Sequence, residues 1–314
     1  MENITVNIQP AGGFCNIHCG YCDLQCRSNS ICEFNFKAFE VALCDIAKLN
    51  PTMISFVLHG GEPLTADLSV LLRIVNLCEK YFGEKSRVQV QTNGVLLTDN
   101  IAQILFKKRC GFSVSLDPVL GNCRCDLETR GIVKKNISQL MVLGADVGIV
   151  SVAHAHNLTG YSAMLHELCD MGVSAWTINR VRSDLGGEFY ITEMGYVQLL
   201  LSVMQEWIEK RLFRSIRILP ILDLLTSRGR NHSCRYSSSP LKCRRFFVFD
   251  GMKLITHCEH LAKHKDVVDK KCIKCDDYDF CGGGCLGEVK EASFCEARRL
   301  LKKVLHGMML ICGG

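Results

Sequence analysis

Residues 15–22 read Cys15-Asn16-Ile17-His18-Cys19-Gly20-Tyr21-Cys22, which sets three thiols at C-x3-C-x2-C spacing in a loop that also holds Gly12 and Gly13. The run just before it, Ile4-Thr5-Val6-Asn7-Ile8, alternates apolar and polar residues and predicts a strand. Soft sulfur ligands on one short loop select an iron–sulfur cluster or zinc. Three of them hold three corners of a [4Fe–4S] cube and leave the fourth iron open to a small molecule. A zinc loop completed by a distant fourth ligand is the other reading of these residues.

Strand followed by functional loop is the first instance of a repeated pattern. Apolar spacing predicts helices over 35–49, 68–82, 99–108, 131–143 and 161–171, and strands over 54–58, 88–92, 112–116, 147–152 and 175–179. Such alternation implies parallel strands with crossover helices, hence an α/β fold. Counting the first strand, six units fit a partial (β/α)6 barrel of the TIM type. An open doubly wound sheet has the same periodicity, but the marked loops all follow strand C-termini, where barrel active sites are built. A helix over 192–213 packs on this domain, whose expected extent is 1–215, with a second domain over 216–314.

Gly60-Gly61-Glu62-Pro63 follows the second strand. Its glycines permit close approach of a ligand to backbone, its proline fixes the turn, and its carboxylate suits an ammonium group. Gln91 and Asn93 follow the third strand, Ser115 and Asp117 end the fourth, and Asn179 ends the sixth, beside Arg180. Each of these is also a common turn, cap or strand-end residue.

The chain has 314 residues, a formal charge of +5 and 22% charged residues, with no basic block of the kind that binds nucleic acid. There is no secretory pattern at the N-terminus and no apolar run long enough for a membrane span. A cytoplasmic location is therefore expected. In that compartment 20 cysteines point to metal or redox chemistry rather than disulfides. Cys26, Cys32, Cys44, Cys78, Cys110, Cys123, Cys125, Cys169 and Cys312 fall outside metal-like groups and read mostly as small buried hydrophobes.

The last third carries eight further thiols: Cys234, Cys243, Cys258, Cys272, Cys275, Cys281, Cys285 and Cys295. That number serves two fully ligated clusters or two zinc sites equally well. Between them, Phe246 to Phe249 and Met252 to Ile255 flank Asp250-Gly251 and predict a hairpin. A terminal helix over 294–310 turns Leu300, Leu301, Val304, Leu305 and Met308 inward and Arg298, Arg299, Lys302 and Lys303 outward.

With Tyr21 before the third cysteine, the loop resembles the signature of radical SAM enzymes, and the later cysteine spacing resembles their SPASM extension. The resemblance implies S-adenosylmethionine and three [4Fe–4S] clusters. One is held by Cys15, Cys19 and Cys22. A first auxiliary cluster is implied on Cys234, Cys243, Cys258 and Cys285, and a second on Cys272, Cys275, Cys281 and Cys295. It further implies that Tyr21, Gly60, Gly61, Glu62, Pro63, Gln91, Asn93, Ser115, Asp117 and Asn179 bind or adjoin the cofactor, with Glu62 near its amino group. Glu259 is similar in place to the general base of anaerobic sulfatase-maturing enzymes. Pro118 stands where relatives have glycine, and residues 119–125 lack their usual histidine-containing segment.

The activity so implied is oxidative modification of a peptide or protein side chain, with crosslinking of a ribosomally made peptide placed first. Formylglycine formation, epimerisation and small-molecule dehydrogenation are the enzymatic alternatives. A non-catalytic electron carrier or zinc-stabilised binding protein is the alternative of another class. Expected partners are the peptide, a low-potential reductant such as flavodoxin or ferredoxin, and a separate leader-binding protein, with no nucleic acid or membrane.

Overall fold

The first strand, β1 (Asn3–Ile8), buries Ile4, Val6 and Ile8 on alternate positions, so its register is fixed by the core. It belongs to a computed structural model that describes residues 3–22, 30–181, 187–226, 245–256, 270–281 and 292–312. Two compact units divide the chain. One takes Met1–Leu116, Cys123–Ile149 and Arg244–Glu259, and the other Asp117–Asn122, Val150–Cys243 and His260–Gly314.

In the first unit β1 is followed by α1 (Phe36–Lys48), β2 (Met53–Leu58), α2 (Leu68–Phe82), β3 (Ser86–Thr92), α3 (Asp99–Lys107), β4 (Gly111–Ser115), α4 (Leu127–Val142) and the start of β5 (Val147–Ala153). β1, β2, β3 and β4 pair in parallel in sequence order, with Ile8 opposite Leu58 and Leu58 opposite Val90. The alternation of strand and helix thus yields the α/β fold expected, and the strand order is linear rather than closed, as in a partial barrel. The helix starts follow their caps. Asn35 Oδ1 accepts from Ala38 N–H at α1, and Asp126 Oδ1 accepts from Thr129 N–H at α4. That second cap moves the start of α4 one turn ahead of the expected position near Gly131, which lies inside the helix.

The hairpin of β8 (Phe246–Phe249) and β9 (Leu254–Ile255) forms as the Asp-Gly turn predicts, with Asp250 Oδ1 accepting from the N–H groups of Met252 and Lys253. Its first strand lies parallel to β1, Phe249 opposite Ile8. Phe249 thereby joins Phe34 and Phe39, with ring centroids 5.0 to 5.3 Å apart in tilted or edge arrangements. Cys78 and Cys110 are buried, and burial pushes their thiols up, Cys110 to about 12. Cys32, Cys123, Cys125 and Cys169 are only half-buried, and Cys26 lies outside the described residues. The reading as buried hydrophobes is corrected for those four and most clearly for Cys44, which is exposed. It sits on the solvent face of α1, opposite Leu43 and Ile46.

The second unit contains the end of β5, α5 (Tyr161–Asp170), β6 (Ala175–Arg180), α6 (Glu193–Glu209), β7 (Arg217–Leu219) and α7 (Ile221–Thr226), then the short α8 (Lys270–Ile273) and α9 (Tyr278–Cys281) and the terminal α10 (Phe294–Cys312). β6 and β7 are parallel, with Trp176 opposite Ile218. Trp176 is fully buried, stacks on Tyr161 and donates through Nε1 to Ser151 Oγ at 2.8 Å. α6 begins at its Thr192 cap but ends at Glu209, short of the expected 213, where Arg211 turns left-handed at φ 56°. β7 and α7 were not anticipated, because a three-residue strand shows no period.

α10 buries Leu301 and Leu305 as expected and half-buries Leu300 and Val304, while the Met308 side chain is not among those described. Phe294 and Ala297 are buried as well, and Arg298 is not on the solvent face. It is 4% exposed, and its guanidinium pairs with Glu193, which also holds Arg180 at 3.0 Å. Charge alone suggested an outward residue; a buried carboxylate on α6 draws it inward.

Phe39 anchors the aromatic contact among α1, β8 and Phe34 and is fully buried. Phe39→Ala is expected to cost about 3–5 kcal/mol through lost burial and the cavity left behind. Urea unfolding of the variant against the parent measures it.

Candidate functional site

The loops after β1 and β2 are joined through their backbones. Gly61 N–H donates to Gly12 O at 3.0 Å, and Glu62 N–H donates to Phe14 O at 2.8 Å. Contact this close excludes a side chain. A Cβ on Gly61 would lie 1.9 Å from Phe14 O, and one on Gly60, whose φ is 112°, would lie 2.7 Å from Gly12 O. The two glycines therefore carry the three-thiol loop directly on the end of β2.

Glu62 is 1% exposed. Its Oε1 accepts from Leu64 N–H at 3.0 Å and from Thr92 Oγ1–H at 2.7 Å, and its Oε2 accepts from Asn93 N–H at 2.7 Å. The carboxylate caps the 3-10 turn Pro63–Thr65 and ties it to the end of β3. Burial raises the Glu62 carboxyl above its ordinary value, while these donors and the nearby charge of Arg124 oppose that rise. Asn93 in turn reaches the thiol loop, its Nδ2 donating to Asn16 Oδ1 at 2.7 Å and approaching Cys15 Sγ at 3.7 Å. Asn136 on α4 supports the same turn by donating to Gly94 O at 2.8 Å.

Cys15, Cys19 and Cys22 are half-buried and reduced. Burial pushes the Cys15 thiol up, against hydrogen bonds that include one from Asn93. Cys19 Sγ has Arg124 Nη1 at 3.8 Å, and the Arg124 guanidinium lies 5.6 Å from the centre of the Tyr21 ring. Two N–H donors aimed at sulfur suit thiolates that ligate metal. The donor set therefore fits an iron–sulfur cluster. Among the described residues no three His, Cys, Asp or Glu side chains converge as a single metal ion requires.

Gln91 bridges two serines of β4, donating through Nε2 to Ser115 Oγ at 3.1 Å and accepting from Ser113 Oγ–H. Of the residues expected to serve one site, the first unit thus brings together Cys15, Cys19, Tyr21, Cys22, Gly60, Gly61, Glu62, Pro63 and Asn93, and sets Gln91 against Ser115. Asp117 and Asn179 belong to the second unit. There Asp117 Oδ1 accepts from Val152 N–H at 2.9 Å, and Asn179 is half-buried on β6.

The second unit also holds part of the later cysteine set. Cys275 N–H donates to Cys272 O at 3.0 Å, and Cys281 N–H donates to Asp277 O at 2.9 Å, so the three thiols of this segment ride on consecutive turns. Asp277 binds Arg299 Nε at 3.0 Å and Lys302 Nζ at 2.6 Å, which fixes that segment against α10, the helix that carries Cys295. Hydrogen bonds from these two cations hold the Asp277 carboxyl below its usual range. Cys234, Cys243, Cys258, Cys285 and Glu259 lie outside the described residues.

Sequence reasoning missed Asn16 and Arg124. Asn16 was legible only as a spacer between thiols. Arg124 stands in the segment that departs from the family pattern, and that departure was the available signal.

No family model matches the chain. It is 21% identical to a cysteine-type anaerobic sulfatase-maturating enzyme of Clostridium perfringens, over 91% of this chain and 89% of that protein. Its structure is similar to that of anSMEcpe with bound AdoMet and Kp18Cys peptide, at TM-score 0.79 and 18% identity, covering 99% of both chains. It is also similar to Streptococcus suis SuiB bound to precursor peptide SuiA, at TM-score 0.65 and 13% identity, covering 94% of this chain and 76% of SuiB.

The two contrasting glycines offer a check on the loop geometry. Gly61→Ala forces the thiol loop off Phe14 O and is expected to destabilise by about 1–3 kcal/mol, as overpacking does. Gly131→Ala, inside α4 with nothing within 4 Å of the new Cβ, is expected to stabilise by about 0.5–1 kcal/mol. Paired denaturant titrations measure both.

Proposed function

We propose that this chain, which has the α/β fold of the radical SAM/SPASM maturases, cleaves S-adenosylmethionine reductively and oxidises a peptide side chain. The observation that carries the reading is the joint between the two loops: Gly61 and Glu62 bind the backbone of the three-thiol loop, and Asn93 reaches from β3 to Cys15 and Asn16. Cys15, Cys19 and Cys22 would hold a [4Fe–4S] cluster with one iron left for the amino acid end of the cofactor. When bound, such a cluster would supply the electron for reductive cleavage of S-adenosylmethionine.

The remaining roles belong to the chain's own side chains. Glu62 Oε2 has one described donor and retains acceptor capacity for an ammonium group. Gly60 and Gly61 seat the thiol loop against the end of β2, and with them Tyr21, Pro63, Gln91, Asn93, Ser115, Asp117 and Asn179 complete the proposed cofactor set. We read residues 1–215 as the barrel domain and 216–314 as the auxiliary domain. Cys234, Cys243, Cys258 and Cys285 would hold one further cluster there, and Cys272, Cys275, Cys281 and Cys295 another. These would accept the second electron of an oxidation. The Asp277 contacts with Arg299 and Lys302 support the second of those sites by fixing its segment to α10. Glu259 is the proposed base.

Among peptide oxidations we place crosslink formation first, because residues 117–125 depart from the sulfatase-maturing pattern and the fold is shared with SuiB, solved with a precursor peptide. Formylglycine formation is the second reading, favoured by the similarity that spans 91% of the chain. A low-potential reductant of the flavodoxin or ferredoxin kind and a separate leader-binding protein are the proposed partners. No helix among the described residues is long and apolar enough to cross a membrane.

Anaerobic reconstitution tests the proposal. About twelve irons per chain are expected for three four-iron clusters. 5′-Deoxyadenosine should form with S-adenosylmethionine and a strong reductant, and should vanish in the Cys15→Ala, Cys19→Ala, Cys22→Ala triple variant. With a peptide substrate, tandem mass spectrometry separates the two readings. Loss of two hydrogens with no backbone fragments between the two joined residues marks a crosslink, and a hydrazine-reactive aldehyde on a former Cys (sulfur lost) or Ser (two hydrogens lost) marks formylglycine. Zinc in place of iron, or deoxyadenosine unaffected by the triple variant, overturns the proposal.

A further inference from the structure

The segment after β4 that departs from the family pattern is docked on the three-thiol loop. Gly20 N–H donates to Cys123 O at 2.9 Å, so main chain joins main chain. The next residue, Arg124, places its guanidinium 5.6 Å from the centre of the buried Tyr21 ring, with Nη1 3.8 Å from Cys19 Sγ. Cys15 receives a neutral amide donor from Asn93, whereas Cys19 receives a charged one. The ring and the backbone bond together fix where that charge sits.

We propose that Arg124 tunes electron acceptance at the Cys15, Cys19 and Cys22 site: held over Tyr21, it donates to the Cys19 sulfur and favours the reduced state of the cluster bound there. This rests on the iron–sulfur reading given above. The physical reason is charge. One added electron, delivered by an external low-potential donor, increases negative charge on the ligating sulfurs, and a charge-assisted hydrogen bond strengthens with it. No proton moves, because a guanidinium stays protonated throughout. Lysine is a poor substitute, since a flexible ammonium lacks the planar fork that lies on a ring and still points an N–H at sulfur.

The test is a redox titration of the reconstituted full chain, following by electron paramagnetic resonance the signal that S-adenosylmethionine perturbs. Arg124→Met is expected to lower the reduced-to-oxidised ratio at fixed poise about tenfold, a fall of about 59 mV for one electron. Arg124→Lys should fall between parent and Arg124→Met. If Arg124→Met fails to retain iron, Arg124→Lys carries the test alone, and a midpoint below the parent's supports the proposal. An unchanged midpoint in variants that retain parental iron overturns it. Absence of any S-adenosylmethionine-sensitive signal in the parent would overturn the iron–sulfur reading instead, so the two failures are distinguishable.

Discussion

A single buried carboxylate holds the candidate site together. Glu62 accepts hydrogen bonds from its own turn and from the end of β3, while its backbone N–H reaches the thiol loop after β1. A carboxylate taken out of water is costly unless fully satisfied. Here the cost is offset by donors that come from two different loops, so the same interaction that makes the charge tolerable also sets the loops in register. Removing any of those donors would leave the others bonded to a less stable charge.

Much of the first unit was legible because its strands are short, buried and separated by well-marked helices. The alternation in Ile4, Val6 and Ile8 and the 3.6-residue spacing in α2 are local signals. The pairing of β8 with β1 was not legible, since nothing in Phe246 to Phe249 says which strand it will meet. The thiol loop and Gly60 to Pro63 were legible as chemistry, but Glu62 was read only as a ligand contact. Its structural work depends on Thr92 and Asn93, whose proximity follows from the sheet and not from spacing. Arg298 failed for the same reason in reverse. A helical pattern assigns a charged residue to solvent unless a distant partner, here Glu193, is known.

The second unit shows charge used for position more than for stability. Glu193 sits between Arg180 on β6 and Arg298 on α10, and Asp277 sits between Arg299 and Lys302. Surface pairs such as those of Asp277 add little net free energy, and buried ones are costly to break and modest to form. Their value lies in fixing α10 at two points along its length, one on α6 and one on the segment that carries Cys272, Cys275 and Cys281.

The place of β8 beside β1 also governs the order in which the protein is made. Synthesis proceeds from the N-terminus, so β1 leaves the ribosome long before β8, the strand that pairs with its outer edge. Until then the nascent chain carries an unpaired, apolar strand edge next to three free thiols, a template for pairing with other chains. Completion of that sheet is a late, long-range event, of the kind that folds slowly. Protection of the thiol loop during biogenesis therefore falls to whatever shields the growing chain, well before the fold can do so itself.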